Sequence, residues 1–106
     1  LSQTMVGPQT RHLLETVQAD IAFMGTMGVG LDGGITTTDP GEAFTKQLVM
    51  ERAAVVVLLT DRSKLGKVSF ARAGTLQDVD VLVTDRGVDR RWKGILRAAG
   101  VALVEA

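Results

Sequence analysis

The segment 53–60 is an unbroken run of alanine, valine and leucine that ends in a threonine. A run without alternating polar residues is typical of a strand that is covered on both faces, as in parallel sheets. Shorter apolar runs at 20–24, 79–84 and 101–104 predict three further strands. Helix signals separate most of these runs. The order of elements therefore predicts an α/β fold with a mostly parallel sheet flanked by helices.

The helix between the first two predicted strands has a clear start. Asp39 is a suitable N-cap, Pro40 suits the first helical position, and Glu42 is placed to reach back to the start of the helix. Apolar residues on one face continue to about Arg52. We therefore expect a capped helix that leads directly into the strand 53–60.

Three weaker elements complete the expected order. A short amphipathic helix is predicted over 8–18. Phe70 is expected in an irregular or edge strand, followed by a turn over 75–78. A last helix is capped by Asp89 and ended by Gly100.

Two loops are expected over the carboxyl ends of neighbouring strands, where ligands bind in open α/β sheets. One is the flexible, glycine-rich segment 25–34, which offers backbone donors and leads to the hydroxyls of Thr36 and Thr37. The other is the motif Asp61-Arg62-Ser63-Lys64, which brings a cation. Donors and a cation together favour a small anionic ligand that carries hydroxyl groups.

The segment from Gly28 to Gly33 also matches the G-x-G-x-x-G fingerprint of dinucleotide-binding folds. In that fingerprint the glycines lead directly into a helix whose N-terminus holds the pyrophosphate. Here Gly34-Ile35-Thr36-Thr37-Thr38 intervenes, and consecutive threonines are poor helix formers. No acidic residue closes a strand about 20 residues further on, where a ribose partner belongs. We interpret the match as accidental. Two interpretations of this segment remain: a loop with a structural role alone, and a loop of the kind that binds a substrate.

Composition excludes several kinds of site. The 106 residues suffice for one domain, and 12 basic and 12 acidic residues give a net charge of zero, so nothing attracts the chain as a whole to nucleic acid or to an anionic membrane. There is no cysteine and His12 is the single histidine, which argues against disulfides, thiolate metal sites and histidine clusters. A reducing cytoplasm is compatible with this composition. The longest uncharged run, 21–31, is far too short to span a membrane.

Five sequence stretches occur together in one order: DIAFMGTMGVGLDGGITT at 20–37, EAFTK at 42–46, VLLTDRSKLG at 57–66, DVLVTD at 80–85, and GV with VEA at 100–106. In this combination the chain resembles the C-terminal sensor domain of the DeoR family of bacterial transcription regulators. The resemblance covers nearly the whole chain from Val6-Gly7 onward.

The resemblance implies a function beyond what the residues show. Such regulators bind operator DNA through an N-terminal helix-turn-helix, usually as repressors of sugar metabolism, and their sensor domain binds phosphorylated sugars. That domain shares the fold of ribose-5-phosphate isomerase, glucosamine-6-phosphate deaminase and CoA transferases. We therefore expect residues 1–106 to be the C-terminal part of a sugar-phosphate sensor, without the helix-turn-helix and the first half of the sensor. A cytoplasmic homo-oligomer without a cofactor is expected, with Trp92 in the core or at an interface.

The expected ligand site combines backbone groups, hydroxyls and charges from the loops described above. Lys46 adds a second cation to this site. The alternative interpretation, that Lys46 is a solvated surface lysine, is supported equally by the sequence. The predicted ligand-binding residues are Gly25, Thr26, Gly28, Gly30, Asp32, Gly33, Thr36, Thr37, Lys46, Asp61 and Lys64.

The related isomerases provide an alternative function. By the resemblance, Met24 and Met27 stand where those enzymes have acidic residues, and Thr45 stands where they have the glutamate that serves as base. Abstraction of a proton next to a carbonyl needs a positioned base, which neither side chain supplies. The resemblance thus implies a binding protein without catalysis, and a sugar-phosphate isomerase or deaminase that uses Asp61 or Asp85 as base is the alternative.

Overall fold

The computed structural model describes residues 19–106, and the predicted helix over 8–18 lies outside the described residues. Within this part, strands alternate with two α-helices and two short 3-10 turns. The elements are β1 (Ala19–Gly25), β2 (Gly28–Val29), β3 (Gly34–Thr37), α1 (Pro40–Arg52), β4 (Ala53–Leu59), a 3-10 turn (Arg62–Lys64), β5 (Ala71–Thr75), a 3-10 turn (Leu76–Asp78), β6 (Val81–Thr84), α2 (Arg90–Ala98) and β7 (Ala102–Glu105).

Four strands form a parallel sheet in the order β1, β4, β6, β7. Phe23 of β1 lies beside Val57 of β4, and Thr84 of β6 lies beside Glu105 of β7. The crossover from β1 to β4 contains α1, and the crossover from β6 to β7 contains α2. The predicted α/β fold with a mostly parallel sheet is confirmed.

The glycine-rich segment is a β-hairpin, so its prediction as a flexible loop is wrong. Strands β2 and β3 pair antiparallel, with Gly28 opposite Thr36, and β5 pairs with the other edge of β3 to complete a small three-stranded sheet. The Ile-Thr-Thr sequence of β3 favours a strand because its residues are β-branched. Gly33, at φ +85°, supplies the left-handed backbone that follows the hairpin tip.

Both helices begin and end close to the predicted positions. The Asp39 carboxylate accepts from the Gly41 N–H at 2.9 Å, and the Asp89 carboxylate accepts from the Trp92 N–H at 2.8 Å. At the end of α2, Gly100 has φ +79° and its N–H donates to the Arg97 carbonyl, which closes the helix as expected of a glycine at C′. Neither α1 nor α2, the α-helices of residues 19–106, is long and apolar enough to cross a membrane.

The buried core lies on one side of the parallel sheet. It joins alternate strand residues to one face of each helix, and includes Ala22, Met24, Val56, Leu58 and Leu82 from the strands with Val49, Met50, Trp92 and Leu96 from the helices. Trp92 is 7% exposed and is therefore a core residue. On the other side of β4, Val57 is buried, whereas Val55 and Leu59 are exposed. The prediction that 53–60 is covered on both faces is therefore wrong at Val55 and Leu59 within the described residues.

Candidate functional site

The β2–β3 hairpin and the segment after β4 lie side by side, as the sequence predicts. Val29 forms a parallel bridge with Leu65, and the Gly66 N–H donates to the Val29 carbonyl at 2.7 Å. Further along, the Ser69 N–H donates to the Thr36 hydroxyl at 2.8 Å. The two predicted ligand loops therefore form one structural unit beyond the carboxyl ends of β1 and β4.

Gly28 allows this close approach. A Cβ at Gly28 would lie 2.4 Å from the Lys67 carbonyl oxygen and 3.1 Å from the Thr36 hydroxyl. A side chain cannot be placed there without moving backbone. The glycine is thus required for packing, whatever it contributes to a ligand.

Most backbone donors of the hairpin are already used within the protein. The Gly30 N–H donates to the Gly34 carbonyl, and the Gly33 N–H donates to the Gly30 carbonyl, both at 2.9 Å. The Gly34 N–H donates to the Asp32 carboxylate at 2.9 Å. A ligand that used these donors would have to compete with the hairpin itself.

The hydroxyls of the hairpin threonines are buried and bonded. The Thr26 hydroxyl donates to the Thr36 carbonyl at 2.9 Å, and the Thr36 hydroxyl lies 3.4 Å from the Gly28 carbonyl. The Thr37 hydroxyl lies 3.4 Å from a carboxylate oxygen of Glu42, the residue predicted to reach back over the start of α1. Thr26 and Thr36 therefore stabilise the hairpin itself, and Thr37 joins the hairpin to α1.

Asp32 and Gly33 lie at the tip of the hairpin, next to Gly30. They line a groove of about 390 Å³ between the hairpin tip, the second 3-10 turn and α2, together with Leu76 and Ile95. The Asp32 carboxylate is exposed and lies 3.7 Å from the Arg72 guanidinium. Neither Lys46 nor Lys64 is among the described residues that line this groove.

Lys46 is a buried lysine rather than a surface one. Its residue is 8% exposed, and its ammonium donates to the Gly25 carbonyl at 2.6 Å. Burial lowers the pKa of Lys46, and the nearby Glu42 carboxylate opposes this shift. Among the predicted residues, Lys46 and Gly25 are in direct contact at the carboxyl end of β1.

Lys64 ends the 3-10 turn after β4. It is half-buried, and its ammonium forms no hydrogen bond or ion pair with any residue of the range 19–106. Asp61 caps this turn by accepting from the Ser63 N–H at 2.9 Å. The Ser63 hydroxyl also donates to that carboxylate and is the main cause of the lowered pKa of Asp61, to which the Lys64 charge contributes. Of the two lysines in the predicted site, Lys64 is the one whose ammonium the described residues leave without a partner.

An ion pair next to Lys64 was not part of the predicted site. The Arg62 N–H and guanidinium donate to the two oxygens of the Asp85 carboxylate at 2.8 and 3.1 Å. The bond from the Arg62 N–H is the main cause of the lowered pKa of Asp85. Asp61-Arg62 follows β4, and the same Asp-Arg pair recurs as Asp85-Arg86 after β6. This repeat was the sequence signal that connects the two strand ends.

The carboxylate of Glu105 makes a similar connection at the end of β7. It accepts from the N–H groups of Gly87 and Val88, both at 3.0 Å, and lies 3.8 Å from the Lys93 ammonium. The bond from Val88, followed by that from Gly87, lowers the pKa of Glu105. Together with Asp85, Glu105 fixes the loops that follow β4 and β6.

The three positions that the resemblance relates to enzyme carboxylates hold Met24, Met27 and Thr45, which are uncharged. Thr45 is 1% exposed and its hydroxyl lacks a hydrogen-bond partner within the described residues. Met24 is in the core, and Met27 is exposed. Within residues 19–106, His, Cys, Asp and Glu form no group that could hold a metal ion.

Comparison with known proteins identifies the family. Residues 1–86 match the model of the DeoR C terminal sensor domain. The chain is 36% identical over 104 residues to the HTH-type transcriptional regulator GlpR of Haloferax volcanii. The matched region covers 98% of this chain and 41% of that protein. It is 30% identical over 100 residues to the HTH-type transcriptional repressor GlcR of Bacillus subtilis, with 94% and 38% covered.

A third relative is the Glycerol-3-phosphate regulon repressor of Escherichia coli, 28% identical over 81 residues, with 76% of this chain and 32% of that protein covered. The chain thus spans about two fifths or less of the length of these relatives. The family match, the parallel sheet and the identity with these regulators agree. The chain therefore belongs to the DeoR family of transcription regulators, as part of their C-terminal sensor domain.

Proposed function

We propose that this chain is the effector-sensing part of a regulator of sugar metabolism, and that it binds a phosphorylated sugar without converting it. In the intact protein a helix-turn-helix domain would bind operator DNA, and the regulator would be a homo-oligomer. The names of the relatives support this role: two are HTH-type regulators, and the third name includes glycerol 3-phosphate, a small phosphorylated polyol.

The observation that carries the proposal is the ammonium of Lys64, which has no hydrogen bond or ion pair with residues 19–106. It lies after β4, beside the hairpin that follows β1, at the sheet edge where open α/β folds bind ligands. An ammonium group that the described residues leave without a hydrogen-bond acceptor can donate to an anionic ligand. A phosphate group fits this position because it is anionic and accepts several hydrogen bonds.

The hairpin gives the proposed site a way to respond. Hairpin hydrogen bonds must open if the ligand is to contact the groups that now form them. These groups are the backbone of Gly28, Gly30 and Gly33 and the hydroxyls of Thr36 and Thr37. A ligand shifts a conformational equilibrium only through its different affinity for the two states. In this proposal, the difference comes from hydrogen bonds that the hairpin exchanges for bonds to the sugar.

The lack of catalysis in the proposal rests on three positions. Thr45, Met24 and Met27 carry no group that could abstract a proton at neutral pH. Asp61 and Asp85 are engaged in a turn cap and an ion pair, and both have lowered pKa values, which makes them weak bases. No contact of the described residues favours the alternative of an isomerase.

The test is a thermal-shift screen of the intact protein with a panel of sugar phosphates, and with the free sugars and NAD as controls. A ligand at 100 times its Kd should stabilise the domain by about 2.7 kcal/mol. We expect one sugar phosphate to raise the melting temperature and to remain unconverted after incubation. Conversion of that ligand would establish the enzyme instead, and a shift with NAD alone would contradict the site.

A further inference from the structure

The turn that carries Lys64 is attached to the end of a neighbouring strand. Asp85 directly follows β6, and its two carboxylate oxygens accept from the N–H and the guanidinium of Arg62 at 2.8 and 3.1 Å. Arg62 is the first residue of the 3-10 turn that Lys64 ends. The side chain at one strand end therefore holds the backbone at the start of the turn after another strand.

The hairpin holds the other end of this turn. The Lys64 N–H donates to the Asp61 carbonyl at 3.0 Å within the turn, and the Gly66 N–H donates to the Val29 carbonyl at 2.7 Å. The backbone around Lys64 thus lies between two attachments, one to Asp85 and one to β2. The Lys64 ammonium has no hydrogen bond or ion pair with residues 19–106. Among these residues, its placement depends on the backbone of the turn.

Asp85 is itself held in place by β6. The hydroxyl of Thr84, a buried residue, donates at 3.0 Å to the same Asp85 oxygen that accepts from the Arg62 N–H. The side chains of Asp85 and Arg62 are both 51% exposed, and exposed ion pairs contribute little to stability. These bonds are therefore better suited to fixing the position of the turn than to stabilising the fold.

We infer that Asp85 is a positioning residue for ligand binding, which holds the turn 62–64 where the Lys64 ammonium meets the phosphate group. This role rests on the proposed function, because Asp85 acts through Lys64 and does not contact the ligand. The charge of Asp85 has the opposite effect, since a carboxylate near an anion repels it. The sign of the change on removal of Asp85 therefore separates the two effects: loss of repulsion tightens binding, and loss of positioning weakens it.

Binding titrations of the intact protein test this role. The ligand is the compound, among glycerol 3-phosphate, ribose 5-phosphate and glucosamine 6-phosphate, that most raises the melting temperature. Asp85→Ala should raise its Kd about 3- to 10-fold. Asp80→Ala is the matched control, because the Asp80 carboxylate accepts from the Val56 N–H at 2.7 Å and so joins the start of β6 to β4. This control should leave the Kd within about twofold, even where it lowers the melting temperature.

A double-mutant cycle shows whether Asp85 acts through Lys64. In the Lys64→Ala protein, Asp85→Ala should change the Kd by less than about twofold. An equal loss with and without Lys64, or a Kd of Asp85→Ala that is unchanged or lower, overturns the positioning role and leaves the proposed site intact. Unchanged binding by Lys64→Ala alone, or no binding of any of the three compounds, overturns the proposed function together with this role. If Asp85→Ala does not fold, Asp85→Asn removes the ion pair with little change of size and takes its place in the cycle.

Discussion

The ammonium of Lys46, in the second turn of α1, donates to the carbonyl oxygen of Gly25, at the last residue of β1, at 2.6 Å. This contact joins the helix to the strand end from which the hairpin starts. Since Lys46 is buried, the contact also provides the partner that a buried cation needs. The two lysines of the predicted site therefore differ: Lys46 holds the scaffold, whereas Lys64 has no partner among residues 19–106 and is the lysine that we propose binds the ligand.

The first prediction concerns the stability that this contact provides. Lys46→Met keeps most of the aliphatic chain but leaves the Gly25 carbonyl without its donor, and should lower the free energy of unfolding by about 1–3 kcal/mol. Urea denaturation measures the change. Lys67→Met is the control, because Lys67 is exposed and its substitution should change stability by less than about 0.5 kcal/mol. Equal stability of the two variants would remove the structural role of Lys46.

The second prediction follows from the lowered pKa of Lys46. Because its pKa is lower in the folded state than the ordinary value of 10.5, the unfolded state binds more protons between these two values. We compare the free energy of unfolding of the unmodified protein with that of Lys46→Met. The difference should rise in favour of the unmodified protein as the pH increases from the folded-state pKa of Lys46 toward 10.5. Denaturation of both proteins at pH values from 7 upward measures it, and a falling difference would contradict the burial of the charge.

The third prediction concerns the carboxylate of Asp85. Its pKa is lowered by bonds from Arg62, so its stabilising effect is present above the ordinary value of 3.8 and is lost as the pH falls through the folded value. Asp85→Asn should therefore lower the melting temperature at pH 7 and have little effect well below pH 3.8. Asp20→Asn makes the same change of charge at another exposed position and serves as the control. A loss of stability that is the same at both pH values would contradict the ionic part of the contact.

The fourth prediction concerns the packing of the hairpin. Gly28→Ala places a Cβ 2.4 Å from the Lys67 carbonyl oxygen, so the hairpin and the 65–70 segment must separate. We expect a loss of about 1–3 kcal/mol, as for other overpacked sites. Gly94→Ala in α2 is the matched control, because no atom lies within 4 Å of its added Cβ, and it should stabilise by about 0.5–1 kcal/mol. Chemical denaturation of both variants decides whether the close approach exists in solution.

Local signals in the sequence predicted the ends of the helices well. Asp39, Pro40 and Asp89 act within one turn of their own positions, and Gly100 ends α2 through bonds to the preceding turn. Such short-range chemistry is readable from a single sequence. The parallel strands were predicted for a similar reason, because each is a compact apolar run.

Long-range pairing is what the sequence did not reveal. The hairpin was missed because β2 is only two residues long and one of them is Gly28, so no alternating pattern is visible. In addition, its sheet is completed by β5, which lies far away along the chain. The apolar run of β4 does not distinguish a strand covered on one face from one covered on both. The different surroundings of the two lysines could not be predicted either. Lys46 is held by Gly25, which lies 21 residues away along the chain, and the position of Lys64 depends on the turn at 62–64. No local pattern in the sequence connects these segments.

The most direct test of the account is a binding titration of the intact protein with the sugar phosphate that the screen identifies. Lys64→Ala should weaken binding by about 10- to 100-fold, the effect expected for the loss of one hydrogen-bonded charge, while the melting temperature without ligand stays the same. Lys67→Ala removes an equal charge three residues away and should bind like the unmodified protein. If Lys64→Ala binds with unchanged affinity, Lys64 does not contact the ligand and the proposed site is wrong.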